Sequence, residues 1–431
     1  MTEATRQPAD PPLLQWAKCS FFLQLFFLAW MKRGVTIQGL EAFPTDLLFL
    51  VTMALWAAAL VTRQARLRLH PAFLLLGLYF AALALSAIFS VDRQTSAFKL
   101  LTQIYLLMLP VLAFNLIRTL DDLKRAFAWW LAAAVAVGAY GVATVLLFPF
   151  FGYHSFLSGP LHHFGTLPPG FYPRIELTFE YPAMLANYLG VSLMFVLVAE
   201  RLRWLGRTQA IACSTVILVS ALFALTPGFG GVVAMLGLWI WYCQRETSPG
   251  LARLALAGVS GVTILEVLVA AVTPVLHPTA PFLIHVPGLA KPIAPAVRLM
   301  VWMAAARTFL ASPIVGHGIG VDPVSVPFQS PEETMAYPVT DAHNLILSIA
   351  AQCGIVGVAA LVAIVWFVIR QARAAATPRP PEPLLFALSI AWLSGFVIEG
   401  LVGSFEDARH LWILLGFILA VSRFPKAERT A

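Results

Sequence analysis

Residues 344 to 369 read NLILSIAAQCGIVGVAALVAIVWFVI, without one charged side chain. A bilayer core of about 30 Å takes about 20 apolar residues in a helix, so this stretch is long enough to cross a membrane. Eleven more apolar runs accompany it, at residues 13–31, 46–62, 72–90, 100–117, 126–149, 182–199, 208–225, 230–243, 251–273, 383–402 and 408–422. Of the 431 residues, 60% are hydrophobic and 11% charged. Soluble domains run at about 45–50% and about 25%. The pattern predicts an all-α integral membrane protein of about twelve transmembrane helices, a single polytopic domain over residues 1–431. It excludes a soluble enzyme, a coiled coil and a disordered regulator. Only two connections are long, residues 150–181 and 274–342.

The net charge of +7 is spread in twos and threes between apolar runs, so it points to membrane topology and not to nucleic acid. With the N-terminus placed in the cytoplasm, 19 of the 28 Lys and Arg fall in cytoplasmic segments, although the outer loops are longer. Both termini are therefore expected inside, and both long loops outside, in the periplasm of a bacterial inner membrane. Cys19, Cys213, Cys243 and Cys353 lie in or beside apolar runs without a CxxC spacing, which indicates neither a disulfide framework nor a metal site. The first apolar run lacks a small-residue cleavage signature and reads as a retained span.

Polar groups that topology does not explain lie in the outer loops. The first carries His154, His162 and His163, then Arg174, Glu176, Glu180 and Tyr181, and runs into an apolar helix containing Asn187. The histidine spacing, on a Pro- and Gly-rich loop, is not that of helical zinc ligands. In the second loop a helix entered through Pro295 and stopped by Pro313 holds Arg298 and Trp302 on one face. Nine steps of 100° put Arg307 on the opposite face. A glycine-rich turn, Pro313-Ile-Val-Gly316-His-Gly318-Ile-Gly320, reads as flexible, and Asp341-Ala-His343-Asn344 opens the helix with which this section began.

An Arg-xxx-Trp helix, a P-x-x-G-x-G-x-G turn, and a His-Asn pair opening a membrane helix with a later Gly354-Ile-Val-Gly357 resemble the signature of the O-antigen ligase and polymerase superfamily. The likeness extends from about residue 170 to the helix pair containing Phe405, Glu406, Arg409 and Trp412. One departure stands out. Where relatives carry a T-G-S-R-G-G turn, this chain has Thr226-Pro-Gly-Phe229-Gly-Gly231. The resemblance implies transfer of a glycan from an undecaprenyl diphosphate carrier to a hydroxyl acceptor at the periplasmic face, the acceptor being lipid A core or a growing glycan. It implies Arg174 or Arg409 in place of the missing arginine.

The chemistry needs a base for the acceptor hydroxyl and cations for the diphosphate oxygens. His343 fits the base, and Arg298 fits the clamp because a guanidinium offers a planar fork to paired oxygens. Arg174, Glu176, Tyr181, Asn187, Trp302, Asp341, Asn344 and Arg409 are the candidate substrate-binding residues. No D-x-D occurs, and Asp121-Asp122 sits among Arg118, Lys124 and Arg125 where it balances charge, so the expected chemistry uses no metal and no cofactor. Ligation to lipid A core is the first expectation, and O-antigen or exopolysaccharide polymerisation its alternative. A small-anion transporter is the rival of another class, but no internal repeat accompanies it. The one clear deep acid, Glu266, reads better as hydrogen-bonded to a neighbouring helix.

Overall fold

The computed structural model describes residues 10–31, 35–37, 40–151, 161–162, 174–224, 230–274, 287–288, 293–295, 297–328, 337–377 and 382–425. Among them the helices are α1 (Pro12–Phe27), α2 (Pro44–Val61), α3 (Phe73–Ile88), α4 (Arg93–Leu116), α5 (Leu120–Phe151), α6 (Pro182–Arg201) and α7 (Arg207–Phe223). They continue with α8 (Gly230–Gln244), α9 (Pro249–Ala271), α10 (Val297–Ala311), α11 (Leu345–Ala376), α12 (Pro383–Leu393) and α13 (Arg409–Arg423). The protein is thus an all-α membrane protein, and its strands are two- and three-residue pairs in the loops. Each of the twelve apolar runs coincides with a helix, and α10 is the helix expected in the second long loop. Seven of the described helical stretches, α12 being counted with its continuation to Leu401, are long and apolar enough to cross a membrane, with α3, α7 and α8 shorter.

Proline opens α1, α2, α6 and α12 within the first two positions, where its missing N–H costs nothing and its fixed φ suits the first turn. Helices α6, α12 and α13 are buried almost along their whole length and form the centre. An aromatic stack holds α5, α6 and α13 together: Phe127 and Phe195 lie face to face at 4.2 Å, and Trp130 packs on Tyr188 and Phe417. Helix α9 lies at the periphery with a mostly exposed apolar surface, as a lipid-facing helix requires.

The helix ends that carry the candidate residues are tied to one another. Arg409 of α13 meets Asp46 of α2, Lys99 of α4 pairs with Asp407, Tyr181 before α6 reaches Ser404, and Gly230 of α8 meets Glu266 of α9. The opposite end has its own anchor, Lys18 against Asp122 at 2.8 Å.

Candidate functional site

The site is organised by how α11 begins. Asn344 is its N-cap, accepting the Leu347 N–H at 3.0 Å through Oδ1 and donating through Nδ2 to the Leu401 carbonyl at 2.8 Å. His343, just outside, is left free of capping duty but sits at φ +47°, a left-handed conformation uncommon for a residue with a side chain. Asp341 holds it there. Its Oδ1 accepts the His343 backbone N–H at 2.9 Å, and its Oδ2 lies 3.1 Å from His343 Nδ1. Ser404 donates to the same Oδ1 at 2.6 Å. Burial works against the charged Asp341, but the bonds and charge of His343 with the Ser404 hydroxyl outweigh it and bring its pKa down to about 2. A carboxylate on Nδ1 fixes the imidazole with that nitrogen protonated and leaves Nε2 as a proton acceptor.

Arg298 opens α10, with Trp302 one turn on. The buried Nε of Arg298 and Nε1 of Trp302 have no hydrogen-bond partner among the described residues. Arg307 is exposed, in keeping with the opposite-face expectation. The charges that bear on Arg298 come from elsewhere in the chain. Burial first, then the nearby Arg174 guanidinium, bring its pKa down to about 10 against the opposing charges of Glu266 and Asp341. Arg174, 8% exposed, lies in the two-residue strand Arg174–Ile175 of the first long loop. The two guanidinium groups are within electrostatic range of each other, and the Glu266 and Asp341 carboxylates act on Arg298 in the opposite sense.

Glu266 is built into that place through glycine. Its Oε1 accepts the Gly230 N–H at 3.2 Å at the start of α8. A Cβ at Gly230 would collide with the Glu266 carboxylate, and one at Gly231 with the Glu399 side chain. The glycine pair therefore lets two acidic side chains reach one helix N-terminus. Glu266 thus makes the neighbouring-helix contact that its depth suggested. Phe229, directly before this pair, lies outside the described residues, as do His154 and His163; the side chain of His162 lies outside them too.

The glycine-rich turn differs from its expectation. Helix α11 breaks at Gly354, with φ +62° and ψ −165°, so the carbonyls of Ala351 and Gln352 and the N–H groups of Ile355 and Val356 cannot pair with each other. The turn supplies all four partners. His317 and Gly318 donate to the Ala351 and Gln352 carbonyls at 3.0 Å each, and the Pro313 and Ile314 carbonyls accept from Ile355 and Val356 at 2.8 and 3.3 Å. Gly316, at φ +74°, passes so near Gln352 that a Cβ would meet its carbonyl. The turn is a backbone clip locked onto α11, where the sequence suggested flexibility.

Acidic groups flank the site. Glu406 accepts from Ser348 Oγ at 3.0 Å, and burial, followed by the charges of Asp407 and Asp341, raises its pKa. Asp407 pairs with Lys99 and accepts from Gln103 at 2.9 Å. Of the other expected residues, Tyr181 donates a long bond of 3.4 Å to the Ser404 carbonyl, and the Glu176 carbonyl receives the Phe179 N–H at 2.9 Å. Asn187 is engaged inside the bundle. Its Nδ2 donates to the Gly395 carbonyl at 2.7 Å, in the π-helical turn Ser394–Ile398 that continues α12, and to Glu399 at 2.6 Å. Its Oδ1 faces His410 Nε2 at 2.7 Å. Arg409 lies 3.1 Å from Asp46 and over the rings of Phe43 and Tyr105. The structure thus brings Arg298, Arg174, Asp341 and His343 together, and binds Asn187, Asn344 and Arg409 to partners of their own.

Sequence reasoning missed Lys99, Ser404, Glu399 and His410. Only Glu399 and His410 carried a signal, as ionisable residues within apolar runs. Among the described residues no group of three His, Cys, Asp or Glu side chains is placed to hold a metal ion.

Residues 215–362 match the O-antigen ligase family (Wzy_C). That span contains Glu266, Arg298, Trp302, Asp341, His343 and Asn344, and supports the superfamily resemblance drawn from the Arg298–Gly357 motif. No curated protein and no solved structure matches the chain.

Proposed function

We propose that this chain, whose residues 215–362 carry the O-antigen ligase signature, transfers a glycan from undecaprenyl diphosphate to a hydroxyl acceptor at the periplasmic face of the inner membrane. O-antigen ligase-type glycan transfer is what the family match indicates. The carrier, the face and the acceptor belong to the proposal, as do twelve crossings and both termini in the cytoplasm.

The observation that carries it is the pairing of an oriented imidazole with two guanidinium groups. In this reading His343 Nε2 takes the proton of the acceptor hydroxyl while Asp341 stabilises the imidazolium that forms. The acceptor oxygen bonds to the anomeric carbon as that carbon's bond to the diphosphate oxygen breaks. The electron pair leaves with the diphosphate, whose charge Arg298 and Arg174 receive. Diphosphate is a good leaving group once neutralised, so the step needs neither cofactor nor metal. Trp302 and Tyr181 offer surfaces for the sugar and carrier, with Glu176 beside Arg174.

Ligation to lipid A core is the reading we favour, with polymerisation sharing the same chemistry. Purified protein given a carrier-linked glycan, with and without lipid A core, separates them. A ligase forms product only with that acceptor, and a polymerase lengthens carrier-linked chains without it. Movement of an anion across proteoliposomes with no glycosidic bond formed would instead establish the transporter.

A further inference from the structure

Three arginines converge at the end of the bundle away from the candidate site, and their local acids are already taken. Arg68, in the α2–α3 connection, is fixed by a buried asparagine: its N–H donates to Asn115 Oδ1 at 2.8 Å and its carbonyl accepts from Asn115 Nδ2 at 3.3 Å. Its guanidinium lies 4.8 Å from the centre of the Phe114 ring and makes only long contacts, 3.5 Å each, to the Phe114 and Ile117 carbonyls. Arg118, between α4 and α5, donates through Nε to the Asn115 carbonyl at 3.0 Å, while its buried Nη2 has no partner among the described residues. Arg423 closes α13.

These charges act on one another. Burial first, then Arg118 and Arg423, hold the Arg68 pKa below its ordinary value, and only Asp122 opposes them. Asp122 is occupied: both its oxygens receive Lys18 Nζ at 2.8 Å, and one also accepts the Arg118 and Thr119 N–H groups at 3.0 and 3.1 Å. Asp10 binds the same lysine, and Asp121 lies 3.6 Å from Lys124. His70, also packed here, has Nδ1 accepting from Ala72 at 3.1 Å and Nε2 facing Ser422 at 3.3 Å, and burial with Arg423 brings its pKa down to about 4. It is neutral and adds no charge of either sign. Among the described residues none of the three arginines has a carboxylate within ion-pair distance.

We infer that Arg68, Arg118 and Arg423 form a binding site for a phosphate group. Guanidinium forks from three separate elements match an anion of several oxygens better than one carboxylate. Helix ends place the site at the level where lipid headgroups lie, so the source is the headgroup of an anionic phospholipid or a free phosphate ion. This site does not depend on the glycan-transfer reading.

Native mass spectrometry of the full chain in detergent, with phosphatidylglycerol or phosphatidylcholine added, tests the lipid arm. Thermal unfolding in phosphate against chloride at equal ionic strength tests the free ion. The expected result is retention of phosphatidylglycerol over phosphatidylcholine by the wild type and a loss of about tenfold or more in the Arg68→Gln/Arg423→Gln double variant. Arg423→Gln alone, at an exposed helix end, gives a smaller loss and guards against a fold defect in the double variant. Stabilisation by phosphate that the variants lose assigns the site to the free ion. If neither phosphatidylglycerol nor phosphate distinguishes the wild type from both variants, the inference is wrong.

Discussion

Asp341 grips His343 at two points, the backbone N–H at 2.9 Å and ring Nδ1 at 3.1 Å, and so fixes both the position and the tautomer of one imidazole. A general base contributes about 10²–10⁴-fold. His343→Ala is expected to lose transfer by that factor while still inserting in the membrane. His343→Gly should be equally inactive yet at least as stable, because glycine is at ease at the φ of +47° that His343 must adopt. Asp341→Asn keeps an acceptor for the backbone but presents an amide to Nδ1, and should lower kcat by about 10²-fold with little change in KM. Steady-state kinetics and thermal unfolding of the three variants check this.

The clamp makes an unequal prediction for three arginines. Arg298→Ala and Arg174→Ala should each lower kcat/KM by about ten- to a hundredfold, the worth of a charge-assisted contact. Arg307→Ala, on the exposed face of α10, should be close to wild type. Equal damage from Arg307→Ala would refute the assignment of faces. Phe229→Arg should partly restore Arg174→Ala if both positions face one pocket; a silent Arg174→Ala would pass the compensating role to Arg409, despite its bond to Asp46.

Removing Glu266 takes an opposing charge from Arg298 and the acceptor from the N–H of Gly230 together. Glu266→Gln retains the helix contact and removes the charge, so it should change carrier affinity more than stability, read as KM against Tm. Gly230→Ala should be worse than either, since its Cβ meets the carboxylate.

The lowered pKa of Asp341 has a pH consequence of definite sign. A carboxylate with a folded pKa of about 2 and an ordinary value of about 3.9 stabilises the fold above the higher value and ceases to do so as pH falls through the lower. The Tm difference between wild type and Asp341→Asn should therefore be flat above about pH 5 and shrink from pH 4 towards pH 2. A difference that instead vanishes between pH 5 and 7 would show that Asp341 is not held as described.

Metal removal should leave transfer intact. Activity lost in excess EDTA and restored by Mg²⁺ or Mn²⁺ would contradict this and make Glu176, Glu180, Glu406 and Asp407 the ligands to examine.

What could be read beforehand was what is local in the chain. Helical periodicity separated Arg298 from Arg307, hydropathy located the apolar helices, and Asp341 lay two residues from His343. What could not be read depends on partners far along the chain. Asn187 looked available until Glu399, 212 residues on, and His410 used its amide; Arg409 looked available until Asp46, 363 residues back, took its guanidinium. The glycine turn looked flexible because its role lies in the four bonds it lends to the break at Gly354, which no local pattern announces.

Carrier binding measured beside transfer, on the same preparations of wild type, His343→Ala and Arg298→Ala, tests the division of labour between base and clamp most directly. His343→Ala should bind the diphosphate-linked carrier within about threefold of wild type and transfer nothing, whereas Arg298→Ala should bind it about tenfold or more weakly. Transfer by His343→Ala at near wild-type rate, or undiminished carrier binding by Arg298→Ala, would contradict it.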